Sequence, residues 1–370
     1  MPAQVIIVGA GAGGLAVGAA LGQRGVWYKL LERADSIGAS WRSRYASLRL
    51  HTARSLSGLP GAPISRHWER WVRRDHLVGY LEGYARRFDV EPEFGVEVVR
   101  LDRDQNGWQV VTAAGTRQAR SVVLATGYTR TPFLPDWPGL DTYTGEFRHS
   151  SDYREPSPYR GQRVLVIGSG NSAAEIAVEL IDVAAKVDLS VRMPPNIVRR
   201  ATFGVPSQLI GIGLRRVPVP LLTTSVLRRL TVPDLSAHGL PAPPGSFTQF
   251  VRSGTVPILD HGFVDAVKRG RIRIVPAVSS IDGSEVALVD GRVLQPNAII
   301  AATGFRPNLD PLVGHLGVLD ESGQPRVHGA ETLLQAPGLY FVGISVVLSG
   351  QLWEIGREAR AVARHVATVG

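Results

Sequence analysis

The chain has 370 residues, 44% of them hydrophobic and 20% charged, with a formal net charge of +9. That length holds two domains and more than one core, and the composition is that of an ordinary globular protein. No Cys occurs, which excludes disulfides, thiolate metal sites and a redox-active Cys pair.

The N-terminus, "MPAQVIIVGAGAGG", enters an apolar run with no basic leader, so no signal peptide is expected. No uncharged apolar stretch reaches the roughly 18 residues of a spanning helix. A cytoplasmic location is the expectation. "QVIIVGAG" reads as a strand ending in Gly, "GGLAVGAALGQRG" as a helix stopping at Gly25, and "VWYKLLER" as a second strand. This βαβ unit predicts a parallel sheet.

Its turn carries Gly9-x-Gly11-x-x-Gly14, with Gly13 between the last two. Gly9 permits a tight turn, Gly11 lets the backbone approach a pyrophosphate, and Gly14 lets helix pack on strand. The helix N-terminus then faces the anion with free N–H groups. Glu32 closes the second strand, where a carboxylate accepts both ribose hydroxyls and repels a 2′-phosphate. The site fits FAD or NAD, not NADP.

Next comes "SVVLATGY" (121 to 128), a strand ending in Ala125, Thr126 and Gly127. "YTGEFRHSSDY" (143 to 153) is too polar and broken for a buried strand and reads as a loop. The βαβ pattern then returns: "QRVLVIGSG", "NSAAEIAVELIDVA" and "KVDLSVR" are strand, helix and strand, with Gly168-x-Gly170-x-x-Ala173 at the turn. Here Arg192 ends the second strand, a planar fork suited to a 2′-phosphate, so this half reads as the NADPH site.

Residues 203–256 are irregular, rich in Pro and apolar side chains. They read as a substrate lid or pocket wall, since the Pro residues break any long amphipathic face that would lie on a membrane. "NAIIAATGF" (297 to 305) repeats the Ala-Thr-Gly-aromatic ending with Thr303 and Gly304. The tail forms a strand, a turn at Gly343 and a final helix.

The fold class is therefore α/β: two Rossmann-like dinucleotide-binding domains, with the NADPH domain (148–305) inserted into the FAD domain (1–147 and 306–370). Hydride passes from nicotinamide to flavin. The scattered Arg residues read as positive potential that draws in these anionic cofactors, not as a nucleic-acid surface.

These residues resemble the class B flavin-containing monooxygenases, and within them the YUCCA-type enzymes. The identifying stretch is Tyr143, Gly145, His149 and Tyr153, with Tyr143 where the family usually has Phe. "WRSRYASLRLHTARSLSGLPGAPI" (41 to 64), "YLEGYARRFDV", "GSGNSAAEIAVEL", "TVPILDHG" and "ATGFRPN" are also similar. The resemblance covers most of the chain and is weakest across 203 to 250.

It implies insertion of one oxygen atom from O2 through a C4a-hydroperoxyflavin shielded by retained NADP⁺. His51, Thr52 and His149 are then the candidate catalytic residues. His51 either donates near the flavin or packs beneath it, and His149 either serves the chemistry or anchors the linker. Cofactor contacts are further assigned to Arg33, Trp41, Val98, Gly145, Ser150, Asn171 and Ser172.

The substrate is a small organic molecule, with oxidative decarboxylation of an aryl 2-oxo acid such as indole-3-pyruvate as one reaction. Phe203, Leu209, Phe247 and Phe250 would line its pocket, and Arg199, Arg200 and Arg252 would anchor its carboxylate. N- or S-oxygenation and Baeyer–Villiger insertion are the alternatives, followed by a flavin reductase of a carrier or quinone and a non-catalytic nucleotide sensor. A thioredoxin-reductase-type enzyme is excluded by the missing Cys. Neither nucleic acid nor stable membrane insertion is expected, and a homodimer is compatible with the sequence.

Overall fold

The computed structural model describes residues 3–202, 205–206, 208–209, 234–243, 256–345, 347 and 349–369. Two compact units result. The first comprises Met1–Ser43, Leu48–Thr131 and Arg306–Gly370; the second comprises Arg44–Ser47 and Pro132–Phe305. Phe203, Phe247, Phe250 and Arg252 lie outside the described residues, as does most of the expected lid. No helix among the described residues is long and apolar enough to cross a membrane.

In the first unit a seven-stranded sheet runs in the order Pro92–Glu93, Tyr28–Leu31, Ala3–Val8, Gly115–Leu124, Gly107–Thr112, Val98–Asp104. Leu339–Phe341 adds to it as a parallel partner of Gly115–Leu124. The strand Ala3–Val8 is parallel to both its neighbours. Its side chains alternate: Val5 and Ile7 enter one core, Ile6 and Val8 the other. A strand covered on both faces has to be apolar throughout, which explains the unbroken "VIIV".

Helix Ala12–Gly22 packs against the C-terminal helix Gln351–Val369. Small residues on the first meet Ile355, Ala359, Val362 and Val366 on the second, spaced at helical intervals.

The second unit holds an all-parallel five-stranded sheet in the order Ile272–Val275, Lys186–Ser190, Arg163–Ile167, Ala298–Ala301, Glu146–His149. A three-stranded antiparallel sheet, Val278–Asp282, Glu285–Leu288 and Val293–Leu294, packs beside it.

One expectation changes. "YTGEFRHSSDY" is not all loop, because Glu146–His149 forms the edge strand of this sheet. An edge strand is paired on one side only and tolerates the polarity that argued against a strand. Apart from Arg44–Ser47, the second compact unit begins at Pro132. Thr144 N–H donates to Gly283 O and Tyr143 OH to Pro296 O, so the stretch before 148 already belongs to the second core.

Candidate functional site

The first glycine loop leaves the strand Ala3–Val8 with Gly9 at φ +101°, where a side chain is strained. Gly9 N–H donates to Leu31 O at 2.7 Å. A Cβ on Gly14 would lie 1.9 Å from the Gly9 carbonyl oxygen, and one on Gly13 would meet Ala125 and Val342 at 3.4 Å. Gly11 differs: a Cβ there meets nothing within 4 Å. It is the N-cap of helix Ala12–Gly22 and has no side-chain cap. The loop is therefore closed where it touches the protein and open, with uncapped N–H groups, where an anion would sit.

Glu32 follows the second strand, and its carboxylate accepts from Ala10 N–H at 2.6 Å and Ala34 N–H at 2.9 Å. The loop backbone thus holds the acid in place.

Around this loop, Ala125 is buried and Gly127 has φ +73°. Between them, the Thr126 hydroxyl is buried without a hydrogen-bond partner among the described residues. Val98 is in the core, Trp41 packs against the core from the short helix Ala39–Arg42, and Arg33 lies 3.9 Å from Glu97 in an exposed ion pair.

Thr52 lies 2.7 Å from Ser57, whose hydroxyl donates to Ala53 O; Thr52 is therefore the donor to Ser57. His51 is half-buried beside it. Gly343 has φ +70°, and its N–H donates to Glu358 at 2.8 Å. The last helix begins only at Gln351, eight residues beyond Gly343, so the turn is longer than expected. Ile344 points into the core.

The second loop repeats the design. Gly168 has φ +148°, and a Cβ would lie 2.3 Å from Ala302 O. Gly170, the uncapped N-cap of helix Asn171–Leu180, faces open space. Ser172 is half-buried in the first turn. Asn171 is fully engaged by protein: its Nδ2 donates to Pro257 O at 2.9 Å and its Oδ1 accepts from Leu259 N–H at 2.8 Å. Arg192, two residues past the strand Lys186–Ser190, is exposed and has no partner among the described residues. Arg200 is buried, while Arg199 and Leu209 are exposed.

His149 is buried and doubly held. Its Nε2 lies 3.1 Å from the Gly304 carbonyl, which only accepts, so Nε2 carries the proton. Its Nδ1 accepts from Ser151 N–H at 3.1 Å. Burial, the largest influence, pushes its pKa down and keeps it neutral. The ring stands edge-on to Phe305, over which Arg44 stacks.

Gly304 O also accepts from Phe133 N–H, and the Thr303 hydroxyl donates to Phe133 O. Gly145 is Gly because a Cβ would lie 2.5 Å from the Tyr143 hydroxyl and 2.7 Å from Asn297 O. Tyr153 is buried and donates to Glu179 at 2.8 Å. The neighbouring Ser150 hydroxyl is buried without a partner among the described residues.

One feature lay hidden in the sequence. Asn171, Glu175 and Glu179 fall at i, i+4 and i+8 on one helix face. Glu175, buried, accepts from the Tyr45 hydroxyl and lies 3.3 Å from His261 Nε2. The carboxylate raises the pKa of His261, while burial raises those of Tyr45 and Glu179. Only the i, i+4 spacing of polar residues hints at this in the sequence.

Each loop thus offers an uncapped helix N-terminus, an open glycine and a nearby orphaned hydroxyl, a fit for a dinucleotide. Glu32 suits a ribose at the first; Arg192 suits a 2′-phosphate at the second.

The family described as pyridine nucleotide-disulphide oxidoreductase matches residues 6–203. The probable indole-3-pyruvate monooxygenase YUCCA3 of Arabidopsis thaliana is 31% identical over 98% of this chain and 86% of its own. The indole-3-pyruvate monooxygenase YUCCA4 of Oryza sativa subsp. japonica is 35% identical over 92% and 82%. Among solved structures, a variant of the flavin monooxygenase from Stenotrophomonas maltophilia superposes with a TM-score of 0.77 at 25% identity, covering 100% of this chain and 99% of that one.

Proposed function

The chain belongs to the YUCCA-like class B flavin monooxygenases, FAD- and NADPH-dependent enzymes that use O2 on a small molecule, and on that premise we propose that its substrate is an aryl 2-oxo acid of the indole-3-pyruvate kind. The observation that carries this reading is the extent of the likeness: 31% identity to an enzyme named for indole-3-pyruvate runs over 98% of the chain.

When bound, FAD accepts the hydride of NADPH and activates O2. In net terms the 2-oxo acid, O2, NADPH and a proton give the acid one carbon shorter, CO2, NADP⁺ and water. The bond between ketone and carboxylate carbons breaks, and a new C–O bond forms on the former ketone carbon.

The chain's residues bind and orient. Gly9, Gly11, Gly13 and Gly14, with Glu32, Thr126 and Gly127, hold the flavin nucleotide. Gly168, Gly170, Ser150 and Arg192 hold NADPH, with Arg192 on the 2′-phosphate. His149 serves as a clamp, neutral and engaged at both nitrogens, that fixes Gly304. His51 and Thr52 would lie beside the flavin ring, as the family resemblance implies. Arg199 and Arg200 are the cationic candidates for the substrate carboxylate, since an apolar pocket with one or two charges suits an aryl acid. The same proposal takes the flavin unit as 1–43, 48–131 and 306–370, with a cytoplasmic location, a chain compatible with a homodimer, and no nucleic-acid or membrane partner.

A panel of indole- and phenylpyruvate, tertiary amines, thioethers and cyclic ketones tests the substrate class, scored by product mass and not by NADPH loss. The expected result is CO2 release with an aryl pyruvate and a product containing one atom from labelled O2. Addition of oxygen to an amine or sulfide, with no pyruvate decarboxylated, would overturn it.

A further inference from the structure

Asn171 opens the helix of the second glycine loop, yet its side chain is committed to protein, to Pro257 O and Leu259 N–H. Between those two residues, Ile258 N–H donates to the carbonyl of Asn196 at 2.8 Å. From there Ile258–Asp260 runs parallel to, and pairs with, Ile197–Arg199.

Asn196 lies four residues beyond Arg192. The segment carrying Arg192 is therefore fixed at both ends. Behind it, Lys186–Ser190 pairs with Arg163–Ile167, and Gly168 N–H donates to Ser190 O at 3.0 Å. Ahead of it, one strand pair and the Asn171 amide tie it to the first residue of the nucleotide helix. Arg192 itself is exposed at the middle of this tether.

A guanidinium on a long, flexible stem discriminates a phosphate only if its backbone is held at the right distance from the rest of the ligand; otherwise ordering it consumes the gain.

We propose that Asn171 is a positioning residue for the choice of NADPH over NADH: it holds Pro257–Leu259, which holds Asn196–Arg199, which sets Arg192 at a fixed span from the glycine loop. Glu175, one turn along the helix, secures the same chain through His261, two residues past Leu259. The inference rests on the reading that Arg192 receives the 2′-phosphate.

The test is a double-mutant cycle in the FAD-loaded protein. Dissociation constants for NADP⁺ and NAD⁺ are measured by calorimetry for wild type, Asn171→Ala, Arg192→Ala and the double variant, with thermal unfolding of each. Asn171→Ala is expected to weaken NADP⁺ about tenfold, the scale of one or two lost hydrogen bonds, and NAD⁺ much less. Arg192→Ala should then cost far less NADP⁺ affinity in the Asn171→Ala background than in wild type.

Equal weakening of both nucleotides, or an additive cycle, would overturn the inference and leave the Arg192 reading standing. No loss of NADP⁺ preference in Arg192→Ala alone sinks both. If Asn171→Ala fails to fold, His261→Ala loosens the same chain from its other anchor. It should lower the NADP⁺/NAD⁺ affinity ratio in the same direction, and an unchanged ratio would count against the proposal.

Discussion

Gly14→Ala is expected to purify without flavin and to unfold well below the wild type. Its Cβ would sit 1.9 Å from the Gly9 carbonyl oxygen. Gly9 cannot move away, because its φ of +101° and its hydrogen bond to Leu31 O fix the turn. Overpacking costs about 1–3 kcal/mol and more where the backbone cannot yield, a large share of a domain's stability. Gly11→Ala is the informative partner. Its φ of −76° suits any residue and its Cβ meets nothing, so the apoprotein should fold almost as stably as wild type. Flavin affinity should nevertheless fall, because the methyl group occupies the space the pyrophosphate needs. The checks are flavin absorbance per protein and apoprotein denaturation midpoints. A Gly11→Ala protein that keeps its full flavin would show that the anion does not approach this face of the loop.

His149→Ala should cost about 2–4 kcal/mol, from two lost hydrogen bonds, a part-buried N–H left at Ser151, and the cavity facing Phe305. The pH dependence has a definite sign. The folded-state pKa of His149 lies below its ordinary value of 6.5, with burial the chief cause, so the unfolded chain binds the proton more readily. Its contribution is complete above pH 6.5 and is lost as pH falls below it. His261 runs the other way: its pKa is raised by Glu175, so its contribution is complete below pH 6.5 and is lost as pH rises through the elevated value. Urea midpoints across pH 5 to 8 should therefore fall less steeply on the acid side in His149→Ala than in wild type. A clamp also predicts that the pH profile of kcat keeps its shape in His149→Gln. Loss of a titrating limb at unchanged stability would restore His149 as an acid or base.

The sequence announces what depends on local backbone chemistry. Both glycine loops were legible because a positive φ or a close approach selects glycine within a few residues of chain. The expectations for Glu32 and Arg192 rest on the same local logic, since the second strand of a βαβ unit ends at a known distance from its loop. What depends on remote partners was not legible. The Tyr45–Glu175 hydrogen bond joins residues 130 apart, and the Asn171–Leu259 bond spans 88. In the sequence Asn171 reads as a cofactor contact, and nothing local marks Glu175 or Glu179 as buried. The strand Glu146–His149 was hidden for a related reason: its one partner among the described residues, Ala298–Ala301, lies some 150 residues downstream, and an edge strand needs no alternating apolar pattern of its own.

The four residues Arg44–Ser47 belong to the compact unit of Pro132–Phe305, although the chain on either side of them does not. Heredity has therefore tied a nucleotide module to a fragment encoded nearly ninety positions upstream. A recombination event, or an engineer exchanging 132–305 between relatives as a cassette, carries away Glu175 and leaves Tyr45 behind. The transplanted carboxylate then meets whatever the recipient offers at the position of Tyr45. An aromatic hydroxyl there keeps the hydrogen bond to the buried acid, and an aliphatic side chain leaves Glu175 to His261 without it. The module's portability is thus decided by a residue outside it.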